Sequence, residues 1–275
     1  RTTESFDGRG VLLLSAGLFS ITFALTASEK EGFSVQNIVL GVISICILIY
    51  FIKNQQFKLK NKKAYLIDFE LFYYKNFNLG IVAVSFFFIM LDSYFYILSL
   101  FFQDGLKMSP LNAGEVIVFQ GLGFILASAF SVKLILKYGK KALLTALCFI
   151  VLVLILQIIL FNHYTEYYLL CVLLFLHGAG VGSVIPSLAN IALSGMPEKL
   201  IGNASGVYNT FQQIAAIIGI VAIGSVFYYF LEERPLMQDY HKAFTIAILI
   251  NIVCLIIVLV SIFKVPDHVL PKSRR

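Results

Sequence analysis

Charge is scarce in this 275-residue sequence: only 13% of positions are Asp, Glu, Lys or Arg, where an ordinary soluble domain carries about a quarter. Cysteine is nearly absent too, with four residues at 46, 148, 171 and 254, each inside an apolar run and none in a CxxC pair. That usage excludes a zinc ribbon, a thioredoxin site and a disulfide framework. Four histidines stand at 163, 177, 241 and 268 with no HxxxD or DxD arrangement nearby, so no metal site and no cofactor is expected. Tryptophan is missing altogether, which excludes little in a chain with 26 Phe and 14 Tyr. What fills the space is apolar: 59% of the residues are hydrophobic and the mean hydropathy is +0.89. A water-soluble fold of this composition would display much of that surface, so the solvent is lipid.

A helix crossing the bilayer needs about 20 mostly apolar residues. Eight stretches meet that length, running approximately over residues 11–27, 33–52, 79–102, 113–134, 142–161, 168–193, 201–230 and 243–263. Their apolar residues are continuous instead of alternating, which excludes transmembrane β-strands. The expected fold class is an all-α integral membrane protein. No signal peptide is visible ahead of the first span, and the chain, which begins with Arg1, reads as a fragment of a longer protein.

Basic residues set the orientation, since cytoplasmic loops carry the excess of Lys and Arg. Placing both ends and the alternate loops inside puts 17 of the 21 basic residues there, leaving Lys30, Lys107, Arg234 and Lys242 outside. Both termini are therefore predicted cytoplasmic. The positive charge is spread along one membrane face, with no basic and aromatic patch of the kind that binds nucleic acid. The longest polar segment, residues 53–78, carries six Lys and reads as a cytoplasmic linker or interfacial helix.

Polar residues inside a span are functional candidates by default, because an unpaired one is expensive in lipid. The third span places Ser85, Asp92, Tyr96, Ser99 and Gln103 at intervals of 7, 4, 3 and 4, which puts them on one helical face. Asp92 lies near the span's midpoint, the costliest depth for a carboxylate. Glu115 sits at the start of the fourth span, as a helix-start residue or in an outer vestibule, and Gln120 lies deeper. The sixth span holds His177, read as a packed or cavity-lining imidazole, and then Gly178, Gly180, Gly182 and Pro186, which suit close packing with a bend. Ser183, Ser187, Asn190 and Ser194 form a second polar stripe there. The seventh span opens on Gly202 and Gly206, a small-xxx-small surface, and continues with Tyr208, Asn209, Gln212 and Gln213, which serve as substrate contacts or as helix glue. The fifth and eighth spans are apolar apart from Gln157 and Asn251 and read as peripheral.

These residues resemble the C-terminal part of a fourteen-helix drug/proton antiporter of the major facilitator superfamily, the EmrB/QacA type. The likeness rests on Asp7-Gly8 ahead of Leu12-Leu13-Leu14 and Gly17-Leu18, on Leu66-Ile67-Asp68-Phe69-Glu70-Leu71-Phe72, and on Ser109-Pro110-Leu111-Asn112-Ala113-Gly114 after Phe102-Gln103. The Gly-rich run to Pro186, followed by Gly202 to Gln213, completes it. The resemblance implies two extra central helices in residues 1–52, the basic linker 53–78, a C-terminal six-helix bundle in 79–264 and a cytoplasmic tail from 265 to 275. It implies six further N-terminal helices outside this chain, and a bacterial cytoplasmic (inner) membrane location.

On that resemblance the third, fourth, sixth and seventh spans line a central cavity. Asp92 and Glu115 become the candidates for proton coupling. Tyr96, Ser99, Gln103, Gln120, Ser183, Ser187, Asn190, Tyr208, Asn209, Gln212 and Gln213 become the candidates for substrate contact. The implied partners are protons, the lipid bilayer and a small amphipathic, often cationic, substrate, moved by alternating access about a midplane site. Two other readings stand beside it: a non-transporting membrane subunit or sensor built from a transporter half, and an integral-membrane transferase.

Overall fold

The computed structural model of the chain describes residues 7–31, 34–61, 67–161, 165–231 and 235–266. Eight α-helices occur among them, in two compact units. The first unit combines residues 1–74 with 196–210, and the second combines 75–195 with 211–275.

The first unit is built on α1 (Gly8–Glu31) and α2 (Val35–Lys60), which pack together as an antiparallel hairpin. Gly17 accommodates Leu48 where an added Cβ would collide with it, and the start of α1 meets the end of α2. There Asp7 caps α1 by accepting from the Gly10 amide at 2.8 Å, and it also accepts from Lys58 Nζ at 2.6 Å and Gln55 Nε2 at 2.9 Å. Burial by itself would raise the Asp7 carboxyl. The bonds from Lys58, Gln55 and the Gly10 amide, with the Lys58 charge, outweigh it and hold the group below the usual carboxylate range. Ser34 caps α2 through the Asn37 amide at 3.2 Å. The basic segment is largely helical in its first part, because α2 continues through Lys53 and Lys58 to Lys60. Further on, Asp68 caps a 3₁₀ turn over Phe69–Tyr73, and its amide donates to Asn203 Oδ1 at 3.0 Å. Asn203 belongs to the first turns of α7 (Glu198–Tyr229), whose residues 211–229 belong to the second unit.

The second unit holds α3 (Lys75–Leu100), α4 (Pro110–Tyr138), α5 (Lys140–Leu160), α6 (Tyr167–Leu193) and α8 (Met237–Phe263). Helix α3 runs on into a π-helical turn at Phe101–Gly105. Helix α6 is central, packing on α3, α4 and α5, while α8 packs on α3 and α5. Glycine makes the α4–α6 contact possible. A Cβ on Gly178 would strike the Gln120 carbonyl, one on Gly182 the Phe124 carbonyl, and one on Gly123 the Phe175 carbonyl. The two backbones therefore touch directly. Gly180, on another face of α6, receives the Ile150 side chain of α5. Pro186 stands inside α6, where it removes the amide that would bond the Gly182 carbonyl. Helices α4 and α5 are joined at Gly139 alone, whose φ of +60° ends one helix and starts the other.

Among the described residues seven helices are long and apolar enough to cross a membrane, while α1 contributes a shorter apolar stretch at Gly8–Ala24. Large apolar side chains on their outward faces, such as Phe19, Val42, Leu126, Ile159 and Phe263, are exposed, as a lipid solvent permits.

Candidate functional site in the helix bundle

The polar stripe of α3 lies along the border of the bundle core. Ala83, Val84, Phe87, Met90, Tyr94, Ile97 and Leu98 are buried on one side of the helix. Ser85, Asp92, Tyr96, Ser99 and Gln103 are all half-buried on the other. The stripe is thus brought together as a surface. Its lower members bond each other, with Gln103 Nε2 donating to Ser99 Oγ at 2.7 Å. Asp92 differs, because its Oδ2 is shielded from solvent with no hydrogen-bond partner, and no ion pair reaches it among the described residues.

Behind this face lies a polar core that the sequence reading did not assemble. The Tyr94 hydroxyl donates to Gln157 Oε1 at 3.0 Å, and its ring stacks on His177 with centroids 4.1 Å apart. His177 Nδ1 pairs with the Gln120 side-chain amide at 3.1 Å. Ser93 Oγ lies 2.9 Å from Asn251 Oδ1. Every one of these residues is buried. Gln120 therefore sits in the packed core between α4 and α6. Helices α5 and α8, read as peripheral, each send one amide into that core. The signal available in the sequence was a single amide in an otherwise apolar span, which has to find a partner.

The remaining candidates occupy varied settings. Ser183 is half-buried and donates to the Ala179 carbonyl at 2.9 Å, Ser187 is buried with no partner for its hydroxyl among the described residues, and Asn190 is exposed. Tyr208 is buried and Asn209 exposed in the first unit, whereas Gln212 is half-buried and Gln213 exposed in the second. Gly202 and Gly206 are exposed, and a Cβ on either would meet no described atom within 4 Å. Glu115 falls in the second turn of α4, since that helix starts at Pro110 with Ser109 as its cap. It is exposed, and its Oε2 lies 3.5 Å from the Tyr167 hydroxyl. Among the described residues no group of His, Cys, Asp and Glu could hold a metal ion.

The model of the Major Facilitator Superfamily matches residues 10–220 and 83–274 of the chain. The chain belongs to this superfamily. Among its relatives, a probable actinorhodin transporter of Streptomyces coelicolor is 28% identical over 83% of this chain and 40% of its own length. A putative multidrug resistance protein, MdtD, of Escherichia coli is 26% identical over 81% of this chain and 46% of its own length. The lincomycin resistance protein LmrB of Listeria monocytogenes is 24% identical over 79% of this chain and 46% of its own length. The chain thus spans less than half the length of each of these relatives, in keeping with the C-terminal portion that the sequence resembles. Superfamily membership and the apolar helices of spanning length among the described residues make it an integral membrane protein.

Proposed function

We propose that this chain is the C-terminal part of a proton-coupled multidrug or amphipathic-compound efflux antiporter working by alternating access. The observation that carries the reading is Asp92: a carboxylate at mid-span, on the polar face of α3, with one oxygen shielded and unpaired among the described residues. A carboxylate at that depth costs about 2.5–3.5 kcal/mol on insertion scales, so it calls for either a proton or a cation as its partner. Exchange needs that alternation. The proton leaves Asp92 as a cationic substrate binds and returns as the substrate departs. Tyr96, Ser99 and Gln103 extend the same face toward one membrane surface and supply polar contacts for the cargo.

In this reading residues 1–52 are the two extra helices, 79–264 the C-terminal bundle, and six further helices close the cavity. Both ends of the chain lie on the cytoplasmic side of a bacterial inner membrane. An impermeant thiol reagent should label Glu166→Cys in intact cells and leave Asn61→Cys unlabelled, in a background without the four native cysteines. The reverse pattern would overturn the orientation.

The experiment for the mechanism is Asp92→Asn in the full-length transporter. Expression should persist while proton-dependent efflux of cationic substrates is lost and efflux of neutral ones is affected less. Unchanged efflux with unchanged pH dependence would remove Asp92 from the coupling.

A further inference from the structure

A cavity of about 480 Å³ opens on the flank of the second unit, between α4 and α5 with α6 as its floor. Its origin is the glycine pattern of α6. Gly178 and Gly182 bring α4 onto one face and Gly180 brings α5 onto another, so the two neighbours lean on α6 instead of on each other. Ala179, Gly180 and Ser183 leave the floor low. Lengthwise the recess follows α5 from Lys141 to Phe149, which at the helical rise is about 12 Å, close to one leaflet of a hydrocarbon core about 30 Å thick.

The recess is apolar along its length and basic at one end. Lys141 and Tyr138 stand at the mouth, beside the turn that joins α4 to α5. No Asp or Glu occurs anywhere between Val116 and Thr165, while Lys133, Lys137, Lys140 and Lys141 all do. Two of those lysines are engaged: Lys140 Nζ donates to the Phe263 and Val265 carbonyls at 3.1 and 2.8 Å, and Lys137 Nζ lies 5.0 Å from the centre of the Tyr138 ring. Lys141 is exposed and has no carboxylate partner among the described residues. The amides of the first turn of α5 face the same end, with no side chain capping them, and a helix start attracts negative charge.

We propose that this recess is a binding site for an anionic phospholipid, one acyl chain lying over Gly180 and Ser183 and the phosphate at Lys141. An uncharged occupant leaves the lysine unmatched, and a soluble anion leaves the apolar trough empty; a lipid satisfies both. The proposal requires only that the chain lies in a bilayer, and its test is read without transport, so it stands or falls apart from the antiport reading.

Native mass spectrometry of the full-length transporter, titrated with phosphatidylglycerol and separately with phosphatidylcholine, reads the site directly. Wild type should retain phosphatidylglycerol preferentially. Lys141→Gln, an exposed change that leaves the packing intact, should weaken that retention about fivefold, the loss expected for one lysine at a lipid headgroup. Lys264→Gln, at another basic position, should not. Ala146→Phe, which fills the trough while keeping the lysine, should lower the retention of both lipids. Equal retention of the two lipids by wild type would overturn the proposal. So would wild-type retention in Lys141→Gln, or displacement of the lipid by transported compounds.

Discussion

The ring of Tyr94 lies on the imidazole of His177, with centroids 4.1 Å apart and planes inclined by 24°, while its hydroxyl reaches past the ring to Gln157 on α5. One side chain of α3 thereby joins α5 and α6. Removing the hydroxyl keeps the stack and strands the Gln157 carbonyl oxygen in a buried site. Hydrogen bonds inside membrane bundles are worth about 0.6–1.7 kcal/mol, so Tyr94→Phe should lower the thermal unfolding midpoint of the full-length protein in detergent. Replacing both partners by apolar groups removes the stranded atom. Tyr94→Phe with Gln157→Leu should therefore recover most of the loss, and a double variant as unstable as the sum of the singles would show that the two residues are not coupled.

The glycines of α6 and α7 look alike in sequence and differ in what they face. A methyl on Gly182 would meet the Phe124 carbonyl, whereas one on Gly206 meets no described atom within 4 Å. Overpacking costs about 1–3 kcal/mol. Gly182→Ala should reduce the monodisperse fraction on size-exclusion chromatography, and Gly206→Ala should not. If the open face of Gly206 meets the remainder of the transporter, Gly206→Leu should fold and yet impair efflux. Equal tolerance at both positions would contradict the direct backbone contact between α4 and α6.

The helical architecture was legible in the sequence because lipid imposes it. Apolar runs of spanning length admit few other structures, and the superfamily blocks lie in those runs and in the polar segments that join them. The α3 stripe was legible for a related reason, since Ser85, Asp92, Tyr96, Ser99 and Gln103 follow the helical period. The partners were not. Gln120 carries the same signal as Gln103, yet the first is buried against His177 and the second lies on the half-exposed face. Which way a polar residue turns depends on how α4 is rotated against α6, and that rotation is set by Gly123, Gly178 and Gly182 acting together across two helices. Ser93 and Tyr94 gave no warning, because they lie beside Asp92 in the sequence and yet fall off the polar stripe, on the buried side of α3.

At the other unit, Asp7 joins the start of α1 to Lys58 near the end of α2. Its folded pKa lies below the ordinary value of 3.8, so its contribution to stability is fully present above that value and is lost as pH falls through the folded pKa. Between pH 5 and 8 the clasp should be indifferent to pH. Asp7→Asn should lower the unfolding midpoint throughout that range and flatten the acid limb below about pH 4, the region in which carboxylates titrate. An unaltered acid limb in that variant would mean that the carboxylate is not held by Lys58 in the intact protein.

The two intramembrane carboxylate candidates are separated by their surroundings. Glu115 is exposed, in the second turn after the Ser109 cap, and its contact with the Tyr167 hydroxyl is long at 3.5 Å. A carboxylate there is open to water and has no enclosed site in which to bind a cation. Asp92 has an oxygen sealed from solvent with no partner among the described residues, so a cation that enters beside it would meet an unpaired acceptor. Glu115→Gln should therefore leave proton-dependent efflux within about twofold of wild type, a change under about 0.5 kcal/mol, while Asp92→Asn abolishes it for cations. Both variants are to be measured in proteoliposomes across a pH series, because only the series separates coupling from binding. Should Glu115→Gln shift the pH profile and Asp92→Asn leave it in place, the coupling carboxylate lies at the mouth of α4, and the unpaired oxygen of Asp92 has a structural partner in the rest of the transporter.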